Sequence, residues 1–527
     1  MRRPHPKRLA TGLAALAVGL FSAVALAGGT TLPTTTLLPV VLTGDVATQS
    51  TPFIAWIKDL AADKYLEQEY LVSGKANIYE YTDNLNQKPD VAVQTPDVDY
   101  TTRILVRRPT HSRPFNGTVY VEVLNATAGW DGDAIWQATH EYMLREGAIW
   151  VGVTTKPVTV NFLRDNWGNT AVAFPSGSFG CLLRHPAPEC VRNRSRYSSL
   201  SMPHFGQVWD MLSQVGALLK TRHNSSNPLD DFKAKRLVMV GYSQSAAYET
   251  TYANSIHAAM PDGSPVYDGY YIATGGSRAK NVTGPPPSAQ ESLPVGDVRN
   301  LTKVDVPVIR FQSQFEVVNS GARLVRQNES DYPLLRFYEG AGLTHVDTYL
   351  DLIGGQALVR DLGLAASFCP TPALPINPIR NGYVQAALLD DLDQWIRSEK
   401  KRKGDDDRGK DNWAPPASRY LDLTTNALGA TVLARDADGN VIGGVRPPDI
   451  DVPLGTTLET NTGPGFCGLF GAFAPFSDAK VKTLYPSHDA YVKAFKKAAR
   501  ASEKDGFLLR EDAKAQIDAA EQSTVGN

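Results

Sequence analysis

Short apolar runs alternate with longer amphipathic stretches along most of the chain. Eight of the runs are rich in Val, Ile, Tyr or Leu, the residues that favour β-strands. The later runs are short and mostly apolar, as in parallel strands that are buried on both faces. The pattern predicts strands at Glu69–Tyr81, Tyr100–Arg107, Gly117–Asn125, Gly147–Thr155, Arg236–Val240, Tyr267–Thr274, Val306–Gln312 and Leu334–Tyr338.

Helical patterns separate many of these strands. Apolar residues recur at intervals of three and four in Gly206–Arg222, and we also expect helices over Asp131–Glu146 and Gln244–Met260. A chain that alternates strands with helices forms a mostly parallel sheet with helices on both faces, so the predicted fold class is α/β. The first two strands have no helix between them and are expected to form an antiparallel edge.

Two stretches interrupt the alternation. Residues 155–203 form a long irregular insertion at the end of a strand, where ligands bind in sheets of this kind, and this predicts a lid or part of a substrate pocket. An ordinary surface loop is the alternative. Residues 398–412 carry blocks of opposite charge, which are typical of a mobile loop. We expect them to divide a core (28–397), which opens with an extended leader, from a C-terminal segment (413–527) that packs on it.

The N-terminus has the pattern of a signal peptide. Four cations within the first eight residues precede an apolar run that ends in Ala25-Leu26-Ala27, a typical cleavage site. An uncleaved anchor is the alternative, but the run barely reaches the roughly 20 residues that a membrane span needs. Residues 1–27 are therefore predicted to be removed, leaving a secreted protein, extracellular or periplasmic, without a stable membrane anchor.

Charge and cysteine content narrow the possible functions. The formal net charge of −2 gives no indication of a nucleic-acid-binding surface. In an oxidising compartment the four cysteines predict two disulfides, and proximity in sequence favours Cys181–Cys190 with Cys369–Cys467, although two other pairings are possible. The spacing of the first pair is too wide for a zinc knuckle, so we expect no metal.

The strongest chemical signal follows the apolar run Leu237–Val240. There the chain reads Gly241-Tyr242-Ser243-Gln244-Ser245 and continues into a predicted helix. A serine between small residues is usually an ordinary turn, but a serine between a buried strand and a helix is typical of a nucleophile elbow. The second small residue is Ser245 where glycine is usual. The turn would also direct the Gln244 N–H towards a developing oxyanion.

A general base and its carboxylate partner are expected later in the chain, in the order Ser, acid, His. Glu316 follows the seventh predicted strand and His345 follows the eighth, so the fold would bring both beside Ser243. His345 would accept the serine proton, and Glu316 would orient the imidazole. Asp347 is too near His345 in sequence to reach its Nδ1 atom, and Asp305 precedes its strand.

A second oxyanion donor is expected in the loop after the third strand. The backbone N–H of Ala126 is the candidate in this loop. Trp130, a few residues later, is a candidate for the substrate pocket, with a place in the core as the equal alternative.

The chain resembles the secreted α/β-hydrolase-domain proteins of bacteria. This resemblance implies the α/β-hydrolase fold and an esterase-like activity, but it implies no substrate. The family commonly has Asp where this chain has Glu316, which leaves the acid open. The resemblance covers most of the mature chain and lies in Val121–Gly129, Gly241–Ala246, Gln312–Val317, Gly340–Asp347, Asp438–Pro448 and Phe507–Ala513.

These features predict a serine hydrolase that cleaves carboxylic esters through an acyl-enzyme, with Ser243, His345 and Glu316 as its triad. It would need no cofactor, and its substrate would be a small or polymeric ester. An amidase or an acyltransferase would use the same residues. A catalytically dead secreted binding protein of the same fold is the remaining alternative, and the intact Ser, Glu and His argue against it.

Overall fold

A computed structural model of the chain describes residues 32–42, 50–166, 196–283, 291–364, 367–403 and 413–527. The predicted signal peptide and the Cys181–Cys190 pair lie outside these ranges. Within them, no helix is both long enough and apolar enough to cross a lipid bilayer.

In the described chain, nine strands form one sheet in the order β1-β2-β3-β5-β4-β6-β7-β8-β9. Strands β4 to β9 pair in parallel, and β1 to β3 form an antiparallel edge. The predicted α/β class and antiparallel edge are confirmed. The strands are β1 Thr34–Leu38, β2 Tyr65–Tyr81, β3 Val91–Pro109, β4 Thr118–Val123, β5 Ile149–Val153, β6 Arg236–Tyr242, β7 Gly269–Ala273, β8 Val308–Ser313 and β9 Leu335–Gly340.

The predicted count of eight strands was one too few, because β1 lies in the expected leader. Its residues are exposed or half-buried, so it lacks the apolar run by which the other strands are recognised. It is held by backbone pairing with β2, from Thr34 opposite Ser73 to Leu38 opposite Glu69.

Many of the helices connect strands of the large sheet. Buried residues of several helices, including Trp136, Leu212, Tyr248 and Leu388, belong to the main hydrophobic core. The helices are α1 Ala134–Glu146, α2 Pro157–Asn161, α3 Val208–Lys220, α4 Gln244–Thr251, α5 Gln314–Asn319, α6 Thr348–Leu362, α7 Asn381–Lys403, α8 Pro448–Asp451, α9 Asp478–Leu484, α10 His488–Lys504 and α11 Arg510–Gln522.

The prediction of a charged loop at 398–412 is wrong for its first six residues, which are helical. Residues up to Lys403 complete α7, and residues 404–412 lie outside the described chain. The run from Ser398 to Lys403 is rich in Lys, Arg and Glu, which have high helix propensity. Cations in the last turn also interact favourably with the helix dipole.

Buried arginines attach the antiparallel edge to the loop between β4 and α1. Arg103 on β3 contacts Glu69 at 2.6 Å and Asp131 at 3.0 Å, and all three side chains are fully buried. Arg107 makes a similar contact with Asp133 at 2.5 Å. Removing one partner of such a pair leaves a buried charge uncompensated, at a cost of about 3–5 kcal/mol.

The C-terminal segment extends the other edge of the sheet. Val445 exchanges two backbone hydrogen bonds with the end of β9, accepting from Ala341 at 2.9 Å and donating to Glu339 at 2.8 Å. Leu421 and Val445 are buried in the main core. The segment also contains two small hairpins, formed by β10 Leu423–Thr425 with β11 Thr431–Leu433 and by β12 Gly455–Leu458 with β13 Ala472–Pro475.

A disulfide joins Cys369 to Cys467, the pairing expected from the sequence. Both cysteines are buried and pack with Phe470. The bond therefore connects the chain after α6 with the C-terminal segment across a separation of 98 residues.

Replacing Cys369 and Cys467 together with serine should lower the free energy of unfolding by about 2–5 kcal/mol, because the disulfide restricts the unfolded chain. Urea unfolding followed by circular dichroism measures the change, with reduced wild type as the control. Equal midpoints for the oxidised wild type and the double variant would contradict the prediction.

Candidate active site

Ser243 occupies a strained turn between β6 and α4. Its φ is +59° and its ψ is −119°, a conformation that costs a residue other than glycine about 1–3 kcal/mol. The turn also brings the chain back onto Gly241. A Cβ atom there would lie 2.9 Å from the Ser245 carbonyl and 2.8 Å from a Glu249 carboxylate oxygen, so the position requires glycine.

His345 and Glu316 meet directly. His345 Nδ1 lies 2.6 Å from Glu316 Oε1, and both side chains are buried. Ser243 and His345 line the same cavity. The two other acids considered lie elsewhere in the hydrogen-bond network, since Asp347 caps the N-terminus of α6 and Asp305 contacts His257 at 2.8 Å.

The position of Glu316 in α5 explains how its carboxylate is held. Oε2 accepts the backbone N–H of Ser313 at 2.8 Å, while the Ser313 hydroxyl accepts the N–H of Phe315 at 3.2 Å. This reciprocal arrangement is a capping box at the first turn of the helix. One carboxylate oxygen therefore stabilises the start of α5, and the other contacts His345. A serine followed three residues later by glutamate is visible in the sequence and indicates this arrangement.

The loop that carries His345 is attached to the elbow. The Tyr242 hydroxyl donates a 2.5 Å hydrogen bond to the backbone carbonyl of His345. The Asn381 side chain binds the carbonyl of Thr344, and the Asn381 N–H donates to Asp347 at 2.8 Å. These bonds fix the backbone on both sides of the histidine.

Ala126 and Gln244, whose backbone N–H groups are the predicted oxyanion donors, are in contact through the Gln244 side chain. The backbone N–H of Ala126 donates to the side-chain Oε1 of Gln244 at 3.2 Å, and Gln244 is the first residue of α4. Asn125 and Gly132 exchange two backbone bonds of 2.8 Å, which close the loop around Ala126. The Asn125 side chain also donates to the carbonyl of Tyr242 at 3.0 Å. The Ala126 N–H is therefore already hydrogen-bonded to the Gln244 side chain.

Lys156 is a polar residue of the site that the sequence did not indicate. It follows β5, is fully buried, and donates to the carbonyl of Leu124 and, at 3.0 Å, to the hydroxyl of Ser245. Ser245 itself lies 3.2 Å from the same carbonyl. The serine that replaces the usual glycine therefore connects the elbow to the loop before Ala126.

Ser243 lines a cavity that is open to solvent. Trp130 lines this cavity, and its ring packs against that of Phe162 with the ring centroids 6.1 Å apart. The described residues of the 155–203 insertion do not line it, whereas α6 and the C-terminal segment do. Among the residues that the structure describes, no three His, Cys, Asp or Glu side chains are grouped as a metal site would require.

The environment of Lys156 has a consequence for stability. Burial lowers the pKa of Lys156 from 10.5 to about 7; Asp131 and Glu122 raise it, and Lys280 lowers it further. Between pH 7 and pH 10 the unfolded chain holds a proton that the folded chain has released. The contribution of this residue to stability therefore rises with pH, by up to about 1.4 kcal/mol per pH unit.

Lys156→Met should remove this rise, because methionine does not titrate. Urea unfolding of wild type and variant at pH 7, 8, 9 and 10 measures the difference. The exposed Lys493→Met variant is the control and should parallel wild type. A Lys156→Met curve that also parallels wild type would show that the lysine is not desolvated as described.

The chain also matches solved structures, all at low sequence identity. The serine hydrolase XC6422 of Xanthomonas campestris is 10% identical, with coverage of 50% of this chain and 90% of that chain and a TM-score of 0.25. The carboxylesterase Cest-2923 of Lactobacillus plantarum is 9% identical, with coverage of 50% and 76% and a TM-score of 0.24. The poly(3-hydroxybutyrate) depolymerase LpqC of Bordetella parapertussis is 11% identical, with coverage of 55% and 88% and a TM-score of 0.27. Matches at this level carry no argument about substrate.

The family of the protein is identified from its sequence. No curated protein matches it. Residues 39–518, however, match the sequence profile of the alpha/beta hydrolase domain family, and this range includes Ser243, Glu316 and His345. The match covers most of the chain and agrees with the parallel sheet described above, so the protein belongs to the alpha/beta hydrolase domain family.

Proposed function

We propose that this hydrolase cleaves carboxylic esters through an acyl-enzyme formed on Ser243. The observation that carries the proposal is the 2.6 Å contact between His345 and Glu316 beside a cavity that Ser243 also lines. A serine in a strained strand-to-helix turn and an imidazole oriented by a buried carboxylate are the parts that nucleophilic acyl transfer requires.

In the proposed reaction, Ser243 Oγ attacks the ester carbonyl while His345 Nε2 accepts its proton. Glu316 stabilises the imidazolium that forms. The backbone N–H groups of Gln244 and Ala126 then bind the oxyanion, and the Gln244 side chain must release the Ala126 N–H as the oxyanion forms. His345 protonates the departing alcohol, and water activated by the same histidine hydrolyses the acyl-enzyme.

We also propose that the protein acts after export, extracellularly or in the periplasm. The N-terminal pattern and the Cys369–Cys467 disulfide support this, because disulfides persist mainly in oxidising compartments. Detection of the protein in the extracellular or periplasmic fraction, with an N-terminus at or near residue 28, tests the proposal. Retention of the full-length chain in the cytoplasm would contradict it.

Ser243→Ala and His345→Ala should abolish labelling by a fluorophosphonate probe, since the first removes the nucleophile and the second its base. Gel fluorescence of the purified mature protein measures labelling. Ser112→Ala, at an exposed serine, is the matched control and should label as wild type does. Labelling that persists in Ser243→Ala would place the nucleophile at another residue.

Glu316→Gln should lower kcat by about 10²- to 10⁴-fold with little loss of stability. The amide can still accept the Ser313 N–H, which preserves the capping box. It cannot stabilise the imidazolium, and its NH₂ group favours the wrong tautomer of His345. Ester turnover and urea unfolding measure the two effects.

Glu316→Ala is the comparison variant, because it loses the cap as well and should also be less stable by about 1 kcal/mol. A Glu316→Gln variant that keeps kcat within threefold of wild type would remove Glu316 from the proposed mechanism.

A further inference from the structure

We infer that the cavity selects electrically neutral esters with an apolar alkyl or aryl group. The residues that make this selection belong to the two segments joined by the Cys369–Cys467 disulfide. The inference rests on the proposed function and specifies its substrate class. It concerns the part of the cavity formed by Phe368, Phe466, Leu469 and Phe470, called the aromatic wall below.

The aromatic wall faces further apolar side chains. Leu350, Ala357 and Leu358 of α6 line the cavity beside it, as does Ile54. An alkyl or aryl group that enters this space leaves water on several sides. Each methylene group that is buried should increase the binding constant of the substrate by about fourfold.

The charges around the cavity disfavour an anionic substrate. Among the described residues that line it, the charged groups are the carboxylates of Asp131 and Asp351, and neither lysine nor arginine is present. Asp131 is paired with Arg103, and Asp351 accepts the backbone N–H of Phe368 at 3.0 Å. A substrate carboxylate would therefore lose water beside the Asp351 carboxylate, with no lysine or arginine among the described lining residues to bind it.

The disulfide holds the aromatic wall in place. Phe368 and Phe466 each adjoin one of the bonded cysteines, and their rings pack edge to face with centroids 6.2 Å apart. The Phe466 N–H donates to the Phe368 carbonyl at 3.2 Å. The disulfide, the ring contact and the hydrogen bond therefore hold together two segments that are far apart in sequence.

The aromatic wall is also connected to the proposed base. The N–H of Val346, the residue after His345, donates to the carbonyl of Leu469 at 3.3 Å, and Val346 forms a parallel bridge with Phe470. The distance between the wall and His345 is thereby set by backbone hydrogen bonds. An apolar group against the wall would be held at a defined position relative to Ser243 and His345.

Two comparisons of para-nitrophenyl esters test the inference on the purified mature protein. The hexanoate should exceed the acetate in kcat/KM by at least about tenfold, from burial of the longer chain. The pentanoate should exceed the monoglutarate, which has a carboxylate at the end of a chain of the same length, by at least about tenfold. Preference for the acetate or for the anionic ester would overturn the inference.

Variants then locate the selection. Phe466→Ala should reduce the hexanoate-to-acetate ratio of kcat/KM at least fivefold, mainly by raising KM for the hexanoate. The Cys369→Ser/Cys467→Ser double variant should change the ratio in the same direction. Leu428→Ala, at a residue of the same segment that is 93% exposed, is the control and should keep the wild-type ratio.

The outcomes separate the two proposals. If wild type hydrolyses none of the esters and does not react with the fluorophosphonate, the proposed function fails and the substrate class fails with it. If wild type hydrolyses the esters but both wall variants keep the wild-type ratio, the proposed function stands and the role of the aromatic wall is overturned.

Discussion

The site depends on the turn that carries Ser243. Its positive φ can persist only because the surrounding structure holds the chain there. The strand before it is fully buried between β4 and β7, and the Ser243 N–H donates to the Ala273 carbonyl on β7 at 2.9 Å. Gly241 allows the close return of the chain against Ser245. The strained residue thus lies at the end of a buried central strand.

The neighbouring loops bind to the residues on either side of this turn. The carbonyl of Tyr242 accepts a hydrogen bond from the Asn125 side chain, in the loop before α1. The Tyr242 hydroxyl donates to the carbonyl of His345. Gln244 accepts the N–H of Ala126, and Ser245 contacts Lys156. The segment Tyr242–Ser245 therefore contacts the loops that carry His345 and Ala126, whereas Glu316 is held by the capping box of α5.

Several of these contacts use buried charged or titratable groups. The carboxylate of Glu316 satisfies both a helix N-terminus and an imidazole, so its orientation is determined before any substrate binds. Burial lowers the pKa of Lys156, and its side chain binds the loop beside the proposed oxyanion position. Preorganised groups of this kind need little reorganisation during reaction, which is the condition under which electrostatic stabilisation is most effective.

The sequence determined the features that depend on local pattern. Buried strands appear as apolar runs, and chain order after strand ends was enough to select Ser243, Glu316 and His345 as neighbours. The structure places Glu316 against His345, with Ser243 and His345 at one cavity. The capping box of Glu316 is local as well, and the sequence contains it from Ser313 onwards.

Tertiary structure alone decided the rest. Strand β1 has no apolar run and exists through its pairing with β2. Lys156 follows a strand without any motif, and its role arises from contacts with residues 32 and 89 positions away. The aromatic wall combines two segments that a disulfide joins across 98 residues. These features depend on contacts between residues that are distant in sequence. Periodicity and local motifs do not encode such contacts, so only the tertiary structure shows these features.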